Sequence, residues 1–284
     1  MKLSVIGVGA MGVAMAGHLV RAGHEVTAFD VDPSRAAAAE EAGAKFAGRL
    51  EDAARAADIF IVMVVSDDQS AAVVDGLCGN AAAGSLIVIT ATNHPETMKT
   101  LAAQAKANGL RLIDAPVCFG LSGAKEGELV SLCGGSEADV ERARPVLMAY
   151  SRAVYHVGPL GAGQLAKGCN NMLHWAACVA NFEVLLLAKR FGVDAQRMRE
   201  ILLDCPGRNG TLAHWDDTRF TWPEKDMDIA LDLAQTGGLR LPLFGQVDQL
   251  VKLLSPDQVK GLLYGDETTY LGMKVGPMAD GAGE

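Results

Sequence analysis

The sequence predicts an α/β domain built on a doubly wound parallel sheet, followed by an all-α domain joined to it through a long helix. Short apolar runs alternate with Ala-rich helical stretches up to about residue 157, and strand signals vanish after Gly158. Strands that are apolar throughout and separated by helices are typical of a parallel sheet covered on both faces. We place the two domains at residues 1–160 and 161–284.

The first half predicts five strands and four helices in alternation. The predicted strands are apolar runs at residues 3–8, 25–29, 59–65, 86–90 and 110–114. The predicted helices lie between them, at residues 11–22, 33–42, 69–77 and 95–108. This succession is the pattern of a doubly wound sheet.

The second half predicts helices alone. One long helix is expected over residues 164–191, and its middle, residues 175–188, is apolar on nearly every side. Such a helix must be buried by other helices or by a second subunit. Further helices are expected up to Leu203, over 225–236 and over 243–254, and the glycine-rich tail from Val275 is expected to fray.

Composition excludes several classes of protein. With 25 basic and 34 acidic residues the net charge is −9, which gives no attraction for nucleic acid or for an anionic membrane. The six cysteines lack the spacing of a zinc site, so we expect no metal and the reduced thiols of a cytoplasmic protein. Beyond the N-terminus the longest apolar run, residues 59–65, is too short to span a bilayer. The first twenty residues could also pass for a secretory signal, but their glycine spacing argues against one.

That spacing is Gly7-Val8-Gly9-Ala10-Met11-Gly12, placed directly after the first predicted strand and opening the first helix. G-x-G-x-x-G in this context is the Rossmann fingerprint for a dinucleotide, with the pyrophosphate at the helix N-terminus. A methyltransferase-type nucleotide fold is the rival interpretation of these glycines alone.

An acidic residue predicts which dinucleotide binds. Asp30 ends the second predicted strand, eighteen residues after Gly12. A carboxylate there accepts hydrogen bonds from ribose hydroxyls and repels a 2′-phosphate, and the next residue is Val31 rather than an arginine. The sequence therefore predicts NAD over NADP, with Arg35 as the residue that could reverse the preference.

A lysine and an amide mark the start of the long helix. Lys167 and Asn171 are four residues apart, so both project from one helix face, and glycines precede them. A lysine so placed can exchange a proton with a substrate hydroxyl, which the amide can orient. The alternative is a solvated lysine near a helix end.

Four stretches, in this order, resemble the β-hydroxyacid dehydrogenases, the family that contains 3-hydroxyisobutyrate dehydrogenase. They are residues 6–16 (IGVGAMGVAMA), 114–127 (DAPVCFGLSGAKEG), 158–171 (GPLGAGQLAKGCNN) and Lys225-Asp226. The resemblance covers essentially the whole chain. It implies a Rossmann-type domain and an all-α domain, hydride transfer with a nicotinamide cofactor, and a homodimer or homotetramer.

The resemblance also implies roles for single residues. Lys167 corresponds to the family's general acid or base, and Asn171 to a residue that binds the substrate. The implied cofactor-binding residues, besides the glycine turn and Asp30, are Met63, Val64, Val65, Thr92 and Lys225.

One departure affects the expected substrate site. Where the family has Ser-Gly-Gly to receive a substrate carboxylate, this chain has Cys118-Phe119-Gly120. A thiol is a poor hydrogen-bond donor and the phenyl ring adds bulk, so a larger or more apolar substrate, or an alcohol without a carboxylate, becomes possible. Alternatively, Cys118 and Phe119 only pack.

We therefore expect an NAD-dependent oxidoreductase that interconverts a 3-hydroxy acid, or a similar small alcohol, and its carbonyl, with Lys167 moving the proton. The alternatives are an imine or semialdehyde reductase on the same scaffold and a non-catalytic dinucleotide-binding protein. The presence of Lys167 argues against an imine reductase, and Lys167 together with Asn171 argues against a non-catalytic protein.

Overall fold

The computed structural model describes residues 1–278, so the end of the glycine-rich tail, residues 279–284, lies outside the described part. The chain divides into two compact units, Met1–Lys167 and Gly168 onward, and the division falls inside one long helix.

The first unit alternates strands and helices. They are β1 (Lys2–Ile6), α1 (Ala10–Arg21), β2 (Glu25–Phe29), α2 (Ala36–Glu41), β3 (Lys45–Phe46), α3 (Leu50–Arg55), β4 (Ile59–Val62), α4 (Asp67–Leu77), β5 (Leu86–Ile89), α5 (Pro95–Ala107), β6 (Arg111–Asp114), β7 (Val117–Cys118), α6 (Gly120–Glu126), β8 (Leu129–Gly134), α7 (Glu137–Leu147) and β9 (Ser151–Gly158). The long helix α8 (Ala162–Arg190) follows.

The nine strands of the first unit form one sheet. Its order is β3-β2-β1-β4-β5-β6-β8-β7, with β9 paired to β8. The pairs from β3 to β6 are parallel, as the sequence predicts. Strand β8 is antiparallel to β6 and β7, so the sheet is mixed at this end.

Four strands of the structure, β3, β7, β8 and β9, are not among those that the sequence predicts. Strand β8 alternates fully and partly buried residues, and β9 is largely exposed, so neither has the continuous apolar run by which the central strands were recognised. Strands β3 and β7 have two residues each, too few for a pattern. The predicted strand over residues 59–65 ends at Val62, and residues 63–65 form a loop.

The two faces of the sheet carry separate apolar cores. Alternate strand residues such as Leu3 and Ile61 pack on one side with Met15 of α1. Their neighbours, such as Phe60, pack on the other side with Leu101 of α5. Strand β1 is paired on both sides, with β2 and β4, and Met15 of α1 is buried in this core, so both elements are part of the sheet domain.

The second unit is helical apart from one hairpin. Its elements after α8 are α9 (Ala195–Leu203), α10 (Gly210–Ala213), α11 (Pro223–Thr236), α12 (Pro242–Val251), α13 (Pro256–Tyr264), β10 (Thr268–Tyr270) and β11 (Met273–Val275). The antiparallel pair β10–β11 corrects the expectation of helices alone. Its strands are three residues long, too short for a periodic signal.

Of the helices in residues 1–278, α8 is long and apolar enough to span a membrane by length and composition. Its side chains Trp175, Phe182 and Leu185 instead pack in the apolar core of the second unit. The apolar side chains of α8 therefore contribute to a core, which agrees with the burial expected for residues 175–188.

Candidate active site

The glycine turn between β1 and α1 is shaped by close packing. Gly7 has φ of 87°, in the left-handed region that favours glycine, and its N–H donates to the Phe29 carbonyl at 2.9 Å. A Cβ on Gly7 would collide with the Met63 carbonyl oxygen, and a Cβ on Gly12 with the Gly7 carbonyl oxygen. The first and third glycines are therefore required by the fold.

The second glycine leaves open space. A Cβ on Gly9 would meet no atom of the described residues within 4 Å. Gly9 is the N-cap of α1, and among residues 1–278 no side chain caps it and no acidic residue lies in the first turn. Ala10 beside it is exposed, whereas Met11 packs partly against the core. The N–H groups and the positive end of the helix dipole thus have open space beside Gly9, which fits the pyrophosphate of a dinucleotide.

Asp30 is held in place at the end of β2. Its carboxylate accepts hydrogen bonds from the Val8 N–H at 2.8 Å and the Asp32 N–H at 3.0 Å. Val31 is 88% exposed. Arg35 forms an ion pair with Asp32 at 3.3 Å, so its guanidinium is already next to an acidic group. The carboxylates of Asp30 and Asp32 can accept hydrogen bonds from ribose hydroxyls, whereas their negative charge would repel a 2′-phosphate.

The loop after β4 lies against the glycine turn. The Met63 N–H donates to the Ile6 carbonyl at 2.8 Å, and Val64 would also contact a Cβ at Gly7. Val65 is exposed, and its N–H donates to the Gln69 side chain at 2.9 Å. Ser66, where the family usually has proline, caps α4 by accepting a hydrogen bond from the Gln69 N–H.

These segments share one edge of the sheet. Asp30, Met63 and the half-buried Thr92 follow β2, β4 and β5, and the glycine turn follows β1. Because these strands are parallel, their carboxyl ends meet at the same edge, where open α/β sheets bind ligands.

A buried polar network ties the start of α8 to that edge. Gln164, 1% exposed, accepts from the Asn93 N–H at 2.9 Å and donates to the Ala91 carbonyl at 2.8 Å. The Asn93 side chain donates to Asp67 at 2.9 Å, and the Gln164 N–H donates to Asp114 at 2.8 Å. The network holds the first turn of α8 against the strand ends.

Asp114 anchors the loop that enters α8. Its carboxylate is fully buried at the end of β6 and also accepts from the Gly161 N–H at 2.7 Å. Burial raises the pKa of Asp114 to about 6, and the backbone hydrogen bonds from Gly161 and Gln164 oppose this. Sequence reasoning missed the roles of Asp67, Asn93, Gln164 and Asp114. Of these, Asp114 carried a local signal, as an acidic residue at the end of an apolar strand.

Lys167 lies one helical turn after Gln164 and is half-buried. Burial raises the pKa of the Cys118 thiol, and the nearby positive charge of Lys167 partly opposes that rise. The Lys167 ammonium therefore lies within electrostatic range of the buried Cys118 thiol, and both residues belong to the first unit.

Two predicted site residues, Asn171 and Lys225, belong to the second unit. Asn171 is buried one turn further along α8, and its side-chain oxygen accepts from Asn170 at 3.1 Å. Lys225 is half-buried in the first turn of α11.

Phe119 has an unusual backbone. Its φ is 82° and its ψ is 7°, a left-handed conformation that costs an L-residue about 1–2 kcal/mol. The following Gly120 also has positive φ, 53°. The Phe119 ring is 53% exposed, and the Arg152 guanidinium carbon lies 4.4 Å from its centroid. An exposed cation–π contact contributes about 0.5–1 kcal/mol, less than the backbone conformation costs.

Comparisons with known proteins agree with this geometry. The family model of the NAD binding domain of 6-phosphogluconate dehydrogenase matches residues 2–158. The model described as NAD-binding of NADP-dependent 3-hydroxyisobutyrate dehydrogenase matches residues 161–262.

Individual relatives cover most of the chain. The 3-hydroxyisobutyrate dehydrogenase of Pseudomonas aeruginosa is 33% identical over 247 residues, which cover 86% of this chain and 82% of that protein. The NAD-dependent L-serine dehydrogenase of the same organism is 31% identical over 277 residues, 89% of this chain and 92% of that protein.

A solved structure of Mycobacterium tuberculosis 3-hydroxyisobutyrate dehydrogenase with L-serine matches with a TM-score of 0.83 and 27% identity, covering 93% of this chain and 99% of that one. With a family model over more than half of its length and relatives above 30% identity, the chain belongs to the β-hydroxyacid dehydrogenase family, as a 3-hydroxyisobutyrate dehydrogenase-like, NAD-binding oxidoreductase.

Proposed function

We propose that this protein is an NAD-dependent dehydrogenase of 3-hydroxy acids, with Lys167 as the general acid or base. The observation that carries the proposal is the anchoring of α8. Gln164 and Asp114 fix the first turn of this helix at the carboxyl edge of the sheet, and Lys167 follows one turn later, within electrostatic range of Cys118.

The names of the relatives support the substrate class. 3-Hydroxyisobutyrate, L-serine and 2-(hydroxymethyl)glutarate all carry a hydroxymethyl group on the carbon next to a carboxylate. We therefore take a hydroxyl on the third carbon of a small acid as the reacting group.

The chemistry divides between cofactor and chain. NAD, when bound, would supply the acceptor for the hydride that leaves the carbinol carbon. The neutral Lys167 amine takes the hydroxyl proton as the O–H bond breaks and the C=O bond forms, and its ammonium returns that proton in the reverse direction. The Asn171 amide hydrogen-bonds the substrate and orients the hydroxyl. The glycine turn (Gly7, Gly9, Gly12) with Ala10 and Met11, the loop of Met63, Val64 and Val65, Thr92 and Lys225 bind the cofactor.

Asp30 supports the choice of NAD over NADP. We expect Asp30→Ala to lower the ratio of kcat/KM with NAD to kcat/KM with NADP at least tenfold, because the repulsion of a 2′-phosphate is lost. Both values come from initial rates of absorbance at 340 nm. An unchanged ratio contradicts the role given to Asp30.

The proposed reaction is tested by NADH formation across 3-hydroxy acids of graded side-chain size, from 3-hydroxypropionate upward. We expect turnover with at least one of them. An enzyme that binds NADH but oxidises none of the panel contradicts the proposal, and reduction of a cyclic imine in the same assay supports an imine reductase instead.

We further propose a cytoplasmic homodimer or homotetramer, with the domains divided at residues 160 and 161. The support for assembly is a set of exposed apolar side chains on α8 and just after it, which include Leu173 (68% exposed), Val184, Leu187 and Phe191. Light scattering after size exclusion measures the mass, and a monomer of about 30 kDa contradicts the assembly.

A further inference from the structure

The left-handed backbone of Phe119 calls for an explanation beyond packing. Strained residues cluster at binding sites, where the surroundings hold them in place. The Phe119 ring is exposed rather than in the apolar core, and its contact with Arg152 returns less free energy than the backbone conformation costs. Local stability therefore does not account for an aromatic residue at a position that suits glycine.

Arg152 reaches Phe119 from another strand. It lies in β9 at a bulge, between the pairs Leu129↔Ser151 and Val130↔Ala153. Strand β8 lies between β7 and β9, so the Arg152 side chain extends over β8 to the ring that follows β7. The phenyl ring thus fixes the guanidinium at the end of β7.

The charge of Arg152 has no acidic partner among the residues that the structure describes. By contrast, Arg144 pairs with Glu141 and Arg199 with Asp216. A guanidinium over the face of an aromatic ring does not use its N–H groups as hydrogen-bond donors to that ring's edge, and their fork matches a carboxylate. In a chain of net charge −9, such a local cation is what an anionic substrate requires.

The neighbouring residue explains why a new donor is needed. Cys118 directly precedes Phe119 and lies near the Lys167 ammonium, but a thiol donates only weakly. We propose that Arg152, held by the Phe119 ring, binds the carboxylate of the hydroxy acid, in place of a hydroxyl donor at residue 118. This inference rests on the proposed function and adds the group that selects acids over neutral alcohols.

Kinetics with an acid and its neutral ester test the inference. The substrates are 3-hydroxypropionate and methyl 3-hydroxypropionate. For Arg152→Gln we expect KM for the acid to rise at least tenfold with kcat within twofold, and kcat/KM for the ester to stay within twofold. Arg152→Lys is expected to recover part of the loss, since it keeps the charge without the fork. The control is Arg55→Gln, an exposed arginine at the end of α3 that pairs with Asp52, and it should match the wild type.

Variants at Phe119 separate recognition from folding. Phe119→Gly relieves the left-handed strain, so we expect a higher Tm together with at least a threefold fall in the acid-to-ester ratio of kcat/KM. A lower Tm with an unchanged ratio would mean that the ring only stabilises the fold.

Equilibrium binding distinguishes failure of this inference from failure of the proposed function. Calorimetric titration of the NADH-loaded full-length protein with isobutyrate requires no turnover. We expect Arg152→Gln to weaken isobutyrate binding at least tenfold, even if no hydroxy acid is oxidised. Absence of isobutyrate binding to the wild type, equal binding by the variant, or an unchanged acid-to-ester ratio overturns the inference, whatever the enzyme oxidises.

Discussion

The substitution Gln164→Met tests the network that positions α8. Methionine keeps the approximate length and volume of glutamine but cannot form the hydrogen bonds that the Gln164 side chain makes with Asn93 and Ala91. The Asn93 N–H and the Ala91 carbonyl, now bonded at 2.9 and 2.8 Å, are then left buried without partners. Each unsatisfied buried group costs about 1–3 kcal/mol. We therefore expect the free energy of unfolding of the first unit to fall by about 2–6 kcal/mol.

The assay must report on the first unit. All three tryptophans, Trp175, Trp215 and Trp222, lie in the second unit, so their fluorescence does not follow the unfolding of the sheet. The unfolding of the sheet is instead measured by circular dichroism in urea, together with hydrogen exchange of the Asn93 amide. Because Lys167 lies one turn after Gln164, we also expect kcat to fall at least tenfold.

The matched control is Gln104→Met. Gln104 is a half-buried glutamine on α5 whose side chain donates a solvent-exposed hydrogen bond to Asp75 at 3.0 Å, so its loss should change the free energy of unfolding by less than about 0.5 kcal/mol. A Gln164→Met protein with the stability and kcat of this control would refute the reasoning.

Three further outcomes follow from the same geometry. Gly9→Ala is expected to fold normally but to weaken NADH binding at least tenfold, because its Cβ enters the open space proposed for the pyrophosphate; normal NADH affinity by fluorescence titration would contradict this. Gly12→Ala is expected to lower the Tm as well, because its Cβ collides with the Gly7 carbonyl; a wild-type Tm in a thermal melt would contradict that. The pKa of Asp114 is about 6 in the folded state and 3.8 in the unfolded state, so between these values the folded protein binds the proton more tightly. The contribution of Asp114 to the free energy of unfolding therefore falls by up to roughly 3 kcal/mol as the pH rises from about 4 to about 6. Urea unfolding across this range should show a loss that Asp114→Asn lacks, and equal slopes in the two proteins would exclude it.

The sequence predicts the parts of the fold that rest on a strong local pattern. Strands β4 and β5 are continuous apolar runs, and β1, β2 and β6 are mostly apolar and buried beyond their first residue, because both faces of the sheet are covered by helices. The β8 and β9 strands escape such reasoning, since their burial alternates or is slight.

The candidate site likewise contains residues that a local sequence pattern predicts and contacts that no local pattern predicts. The glycine turn and Asp30 are recognisable because backbone geometry and charge restrict the residue types there. The pairing of Gln164 with Asn93 joins residues 71 apart along the chain, and the stacking of Arg152 on Phe119 depends on the register of β9. Contacts of this kind leave no local pattern.

The most direct test of the central claim is the turnover of Lys167→Ala with a 3-hydroxy acid that the wild type oxidises. Loss of the proton-transfer group predicts a kcat at least a hundredfold lower, with the affinity for NADH within twofold of the wild type. A Lys167→Ala protein that oxidises the acid at the wild-type rate would contradict the account.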